Sequence, residues 1–318
     1  RDLRRKAKVV IAILCTTHSL FCHSVVLYIY YRYKVFIRIS HVTIMKPTGE
    51  HKLLRIPQNA RHRPLLSQLN GLLVGTACGD ALGLPTEGLS RQRIQRIVQG
   101  IWRHRLFWGR GMISDDTEHT VFVAQSLLRF PDSPSRFAYR LSWCLRGWLL
   151  ALPAGIGFAT LRAICKLWLG FPPNRSGVYS AGNGPAMRVA LIGAIFAHDR
   201  ERRLAYVAAS TRITHTDPKA LIGATAIAEL AAWIVRDRLE CRPAPDAFTA
   251  LLRSCGSRDP EWLTIVATID RAARSGCSVA ELADRLGLSK GVTGYIYHTV
   301  PVAAYAWFRH CADFRQTL

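Results

Sequence analysis

Acidic side chains are scarce in this sequence: 21 Asp and Glu stand against 43 Lys and Arg in 318 residues, a formal net charge of +22. The imbalance is uneven, because residues 1–69 hold 13 basic and two acidic side chains while the remainder holds 30 and 19. The body is therefore only moderately basic, which helps to attract phosphorylated ligands or nucleic acid and specifies neither. No CxxC pair occurs and the nine cysteines are an odd number. That argues against a zinc ribbon or a disulfide framework and for free thiols in a reducing, cytoplasmic compartment. Alternating apolar and polar runs bounded by hairpin turns are scarce too, which argues against an all-β fold. There is no internal repeat and no low-complexity segment.

The opening stretch RDLRRKAKVVIAILCTTHSLFCHSVVLYIYY starts basic and carries no formal charge from Val9 to Tyr31. This is the layout of a signal or membrane anchor. Its middle, CTTHSLFCHS, is poorly apolar for the centre of a bilayer, and basic residues at both ends give no orientation. The first Met is Met45. Residues 1–64 are read as a basic, partly apolar leader outside the fold, with 1–44 as translated upstream sequence and a membrane anchor as the alternative. No membrane partner is expected.

From Leu65 onward the pattern is helical, with Ala-, Leu-, Ile- and Arg-rich segments at 186–198, 204–213, 218–236 and 261–273. Pro- and Gly-marked loops separate them, as at PDSPS (131–135), GFPPNRSG (170–177) and CGSRDP (255–260). Residues 65–318 are expected to form one all-α domain of about ten helices. In NGLLVGTACGDALGLPTEG, glycines 71, 75, 79 and 83 recur every four residues. Each costs about 1 kcal/mol in a helix relative to alanine, so the stripe predicts close approach by another helix or a ligand. Asp80 lies among these small residues, and Glu87 follows Pro85.

Three further stretches carry chemistry. GMISDDTEHT (111–120) concentrates acid in a basic chain. Ser114 or Asp115 can cap a helix whose first turn then holds Asp116 and Glu118, favourable with the helix dipole. Alternatively, its carboxylate and hydroxyl oxygens suit a hard divalent cation. In SAGNGPAMR (180–188), Gly182, Asn183 and Gly184 can adopt positive φ and expose backbone N–H groups. A helix starting near Pro185 would point its amino terminus at the same anion. In TRITHTDPKA (211–220), Asp217 caps and Pro218 starts a helix, with His215 just before.

Taken together and in order, GLLVGTACGDALGLPTE (71–87), SDDTEHT (114–120), AGNGPAMR (181–188) and THTDPKA (214–220) resemble the ADP-ribosylglycohydrolases, a family that includes the dinitrogenase-reductase-activating glycohydrolase. The stretch GVTGYIYHTVPVAAYAWFRHCADF (291–314) is similar to the family's late helices. The resemblance implies an all-α bundle whose cleft holds two divalent cations, Mg²⁺ or Mn²⁺. By the match, Ser114, Asp115 and Asp116 form the first metal-ligand cluster, with Ser114 where Thr is frequent, and Glu87 positions the water or the ribose. Gly182, Asn183 and Gly184 receive the ADP-ribose phosphates and ribose, while His215 and Asp217 line the cleft. The implied activity is a glycosidase-type hydrolase that removes ADP-ribose from an N-linked side chain, typically arginine. Its expected partner is an ADP-ribosylated protein or a small ADP-ribosyl substrate, without nucleic acid.

The family's second ligand cluster, a late GGDTDT-type motif, has no counterpart before Leu318, and Asp313 is a lone carboxylate. The sequence thus carries half of a dinuclear site and lacks the helices that follow the motif, which predicts exposed apolar surface. It reads as a fragment of an active enzyme, with a non-catalytic ADP-ribose binder or a site completed by a partner chain as alternatives. One stretch, SVAELADRLGLSKGVTGYIYHTV (278–300), has the look of a DNA-binding helix-turn-helix with Lys290 at its centre. Its second helix offers Tyr295, Tyr297 and His298 but no Arg, Asn or Gln for base edges, and Pro301 interrupts it.

Overall fold

Proline and the residue before it punctuate this chain. The computed structural model describes residues 63–318 apart from Ile101, Phe107, Trp108, Arg110, Ala154 and Ala312. The leader and the membrane-anchor alternative fall almost wholly outside the described residues. In chain order the helices are α1 (Arg63–Gly83), α2 (Arg91–Val98), α3 (Asp115–Arg129), α4 (Pro134–Leu150), α5 (Phe158–Trp168), α6 (Pro173–Ser176) and α7 (Ala190–Ile195). There follow α8 (Arg200–Arg212), α9 (Pro218–Asp237), α10 (Pro245–Cys255), α11 (Pro260–Arg274), α12 (Val279–Arg285), α13 (Ile296–His310) and α14 (Phe314–Thr317). Proline opens α4, α9, α10 and α11, where its missing N–H is no loss. Just before it, Ser133, Asp217 and Asp259 accept from the backbone N–H of Arg136, Lys219 and Trp262. Ser278 and Glu281 form a capping box at α12. No strand occurs among the described residues. Two isolated bridges, Val178 with His215 and Gly182 with Tyr295, are the extended pairings found there.

The all-α architecture is as expected, but finer than ten helices. The segment 186–198 divides into a 3₁₀ turn (Ala186–Arg188) and the six-residue α7. Pro301 does not interrupt its helix: α13 runs through it, with Val300 and Pro301 both buried. The helix-turn-helix reading does not survive the geometry. Ten residues separate α12 from α13, where such a motif uses three or four. Ile296 and Tyr297, at the start of the supposed reading helix, are buried and unable to reach a groove.

Helix α9 organises the molecule. Ala224 and Ala228, four residues apart on one face, join a core with Phe137, Leu141, Leu145 and Trp148 of α4, Val123 and Leu127 of α3, and Tyr206 of α8. Ala226 and Leu230, on the opposite face, join a second core with Phe248, Trp262, Ile269, Tyr305 and Phe308. Positions two apart on a helix point about 200° from one another, which is why one helix serves both. Small residues let the neighbours in. A side chain at Gly193 of α7 would run into the backbone of Ala228, and one at Gly223 would lie 2.5 Å from Ile296. By length and composition α9 is apolar enough to span a membrane, but here both its faces are taken by protein. Each fully buried Leu, Phe or Trp in these cores contributes about 1.5–3 kcal/mol.

The glycine stripe of α1 is not closely approached. A Cβ on Gly71 or Gly83 would meet nothing within 4 Å. On Gly75 and Gly79 it would meet Phe314 and Leu318 at an ordinary 3.8 Å. The helix instead buries Leu69 and Leu73 on its other side, and Asp80 near its end.

Candidate active site

The acid cluster is built by two helices meeting end to side. Ser114 occupies the N-cap position of α3 in extended conformation, yet its side chain makes no cap bond. The cap comes from α1. The Asp80 carboxylate accepts from the backbone N–H of Ser114 at 2.8 Å and of Thr117 at 3.1 Å. It also accepts from the hydroxyls of Ser114 at 2.7 Å and Thr117 at 2.5 Å. Asp80 is thus neither a solvated residue nor a cleft group. It is the anchor that aims the first turn of α3.

That turn carries Asp115 and Asp116 into a cleft of about 1170 Å³, with Glu87 at its rim beyond the 3₁₀ turn Leu84–Thr86. Crowded carboxylates resist ionisation. Burial, with Asp80 and Glu118 nearby, lifts Asp115 to about 6 against the pull of its own helix-end N–H and Ser114. Burial and then Asp115, Asp80 and Glu87 lift Asp116 to about 8. Partial burial, followed by Asp115 and Asp80, also raises Glu87.

The opposite wall is the loop at 181–184, pinned to the segment that leads into α13. The N–H of Asn183 donates to the Gly294 carbonyl at 2.9 Å, and that of Ile296 to the Ala181 carbonyl at 2.8 Å. The expectation of a loop at positive φ is corrected here, and that of free amides fails at Gly182 and Asn183. None of Gly182, Asn183 and Gly184 has positive φ, and the N–H of Gly182 goes to the Ser180 hydroxyl. Nor does a long helix follow, since only the short 3₁₀ turn and α7 lie downstream. The glycines answer to packing instead. The His215 ring lies beneath the loop, where a Cβ on Gly182 would stand 3.0 Å from Nε2 and one on Gly184 3.2 Å from Cε1.

Of the residues singled out from sequence, Glu87, Asp115, Asp116, Gly182, Asn183, Gly184 and His215 line this one cleft. Ser114 and Asp217 do not. Ser114 lies behind, bonded to Asp80. Asp217 is buried as the cap of α9, its carboxylate accepting from Lys219 N–H. Sequence reasoning missed Thr160, Thr293 and Gly294, which also line the cleft. Nothing near them in the chain signals it, because the pairing that brings residue 294 to residue 183 is non-local.

Beneath the cleft lies Arg188, fully buried, with no carboxylate at ion-pair distance among the described residues. It donates to the Ser210 carbonyl at 2.9 Å, to the hydroxyls of Ser210 at 3.1 Å and Thr214 at 2.7 Å, and towards His119 Nδ1 at 3.4 Å. Burial pushes its guanidinium down to about 10, opposed by Asp115. Burial and the Arg188 charge hold His215 down at about 3 and His119 well below its ordinary range. Both imidazoles are neutral.

The profile of the ADP-ribosylglycohydrolase family matches residues 61–318, most of the chain and all of this cleft. The chain belongs to the ADP-ribosylglycohydrolase family. It is 36% identical over 173 residues to a protein of Archaeoglobus fulgidus described only as uncharacterized. That alignment covers 52% of this chain and 55% of the relative's length. A solved structure described as an ADP-ribosylglycohydrolase-related protein complex superimposes with a TM-score of 0.50 at 26% identity, covering 81% of this chain and 78% of that one. An ADP-ribosylglycohydrolase is generally metal-dependent, and the donor set can be judged for this. Among the described residues no three His, Cys, Asp or Glu side chains form a closed cage. The chemistry of Asp115 and Asp116 nonetheless suits a hard cation. Their carboxylates repel one another, and Mg²⁺ is commonly held by one or two carboxylates while keeping several waters.

Proposed function

We propose that this cleft binds the ADP-ribose part of a modified side chain and hydrolyses the bond from C1 of its terminal ribose to an arginine nitrogen. The observation that carries the reading is the meeting of the carboxylates Glu87, Asp115 and Asp116 with the 182–184 loop and His215 across one cleft. Water adds to C1, the C1–N bond breaks, and one water proton ends on the departing guanidino nitrogen. Positive charge that develops on the ribose ring is stabilised by the carboxylates facing it, and holding the sugar in place supplies much of the remaining acceleration. Glu87, at the rim, is placed to orient the water or the ribose. Asp115 and Asp116 would hold Mg²⁺ or Mn²⁺. Ser114, behind them and bonded to Asp80, would hold their turn in place rather than bind the ion. Such an ion would polarise ribose hydroxyls and acidify water. The substrate is an ADP-ribosylated protein or a small ADP-ribosyl compound, and the setting is the cytoplasm, in keeping with the free thiols of the described cysteines.

A second reading, an ADP-ribose binder without turnover, is favoured by the partial ligand set among the described residues. One experiment separates the two: calorimetric titration of the full chain with ADP-ribose, with and without Mg²⁺, beside an assay of ADP-ribose release from ADP-ribosyl-arginine. Metal-dependent release supports the hydrolase. Binding without release at any metal concentration supports the binder. No binding, or binding that Asn183→Ala leaves unchanged, sinks both.

A further inference from the structure

Thr214 has no exposed surface, so its hydroxyl proton needs a protein acceptor. Its oxygen already accepts from Arg188 Nη2 at 2.7 Å, and a guanidinium can only donate. Among the described residues, the other partner of that oxygen is His215 Nδ1 at 2.9 Å. The Thr214 proton therefore points at Nδ1, which must accept it as a bare nitrogen. The ring's own proton then sits on Nε2, the atom beneath Gly182 in a ring that lines the cleft. We propose that Arg188 acts through Thr214 as a positioning residue that fixes His215 in the Nε2–H tautomer, so that the cleft presents a neutral hydrogen-bond donor beside the 182–184 loop. The same guanidinium also faces Nδ1 of His119, so one buried cation orders both rings. Backbone pairing holds the arrangement in place: Val178 N–H donates to the Thr214 carbonyl, and Thr216 N–H to the Val178 carbonyl.

The donor matches an acceptor oxygen, either a phosphate oxygen or a ribose hydroxyl. A neutral ring is suited to a donor that must not exchange its proton during turnover. Burial keeps it neutral throughout the physiological range. The identity of the ligand rests on the proposed function, whereas the tautomer does not.

The test is a long-range ¹H–¹⁵N correlation spectrum of the full chain labelled at histidine nitrogen, without ligand. His215, assigned by His215→Gln, is expected to show a protonated Nε2 and a bare Nδ1. Thr214→Val removes the hydroxyl and should give a mixed or reversed tautomer, while Thr214→Ser should restore the parent pattern. Arg188→Met is the direct variant, and Thr214→Val keeps the test decisive if Arg188→Met fails to fold. With ADP-ribose as probe, Thr214→Val should weaken binding by about fivefold, the scale of one neutral hydrogen bond, and Thr214→Ser should recover it. A parent protein with Nδ1–H, or a Thr214→Val variant with the parent tautomer, overturns the inference. The expected tautomers without any ADP-ribose binding would leave it standing and remove the proposed ligand instead.

Discussion

Replacing Asp80 with alanine should unfasten the first turn of α3. Four donors converge on that carboxylate, two from Ser114 and two from Thr117. Ser114 is half-buried and can turn to water once Asp80 is gone. Thr117 is only 5% exposed, so its N–H and hydroxyl would be left without partners. Each unsatisfied buried donor costs about 1–3 kcal/mol. Against this, removing Asp80 relieves repulsion on Asp115, Asp116 and Glu87. The burial term is larger, because these carboxylates already escape part of the repulsion by taking up protons. A net loss of about 3 kcal/mol is expected. Urea unfolding followed by circular dichroism at pH 7 measures it through the transition midpoint at constant slope. Asp80→Asn, which retains one acceptor oxygen, should lose about half as much. A loss below about 1 kcal/mol for Asp80→Ala would refute the idea that α3 is capped from α1.

Three further outcomes are expected. Arg203→Met should destabilise the protein by about 3 kcal/mol, read from the same urea curves. Glu229 would be stranded without its 2.9 Å partner, with Arg200 at 3.5 Å compensating in part. Gly182→Ala should lower ADP-ribose affinity by about fivefold with little change in melting temperature, because its Cβ displaces His215 Nε2 by only a few tenths of an ångström. Asp116 titrates near 8 when folded and at an ordinary 3.8 when unfolded, so the folded state binds more protons between those values. In chelator-treated buffer, stability should therefore fall as pH rises from about 4 towards 8. Asp116→Asn should flatten that decline in a melting series, and an unchanged slope would contradict the assignment.

How much of this was legible depends on how far apart in the chain the interacting groups lie. The helix starts at Asp217–Pro218 and Asp259–Pro260 are local chemistry, and sequence reading placed both helices to within a residue or two. The acidic turn at 115–116 was visible as acid concentrated in a basic chain, whereas His215 entered the candidate site only through the resemblance of THTDPKA to the family. The reason for Gly182 and Gly184 was not visible, since the ring that excludes a side chain comes from more than thirty residues away. Asp80 was ambiguous for the same cause, because no local pattern marks an aspartate that caps another helix. The gap of ten residues before α13 could be counted in the sequence once its true start at Ile296 was known. Tyr295, Tyr297 and His298 of that stretch already argued against a recognition surface, since none of them is an Arg, Asn or Gln suited to base edges.

The two-faced helix α9 has a consequence for how the molecule comes apart. Neither half can shed its interior without uncovering a helix that the other half is still gripping. Partial opening of one side would leave Ala224 and Ala228, or Ala226 and Leu230, facing water beside intact neighbours. The halves are thereby bound into a single cooperative unit, and the central amides of α9 should exchange with solvent only when the whole described body unfolds. Damage in the second core at Trp262 or Phe308, neither of which lines the cleft, should therefore register in the cleft as lost protein rather than as altered chemistry.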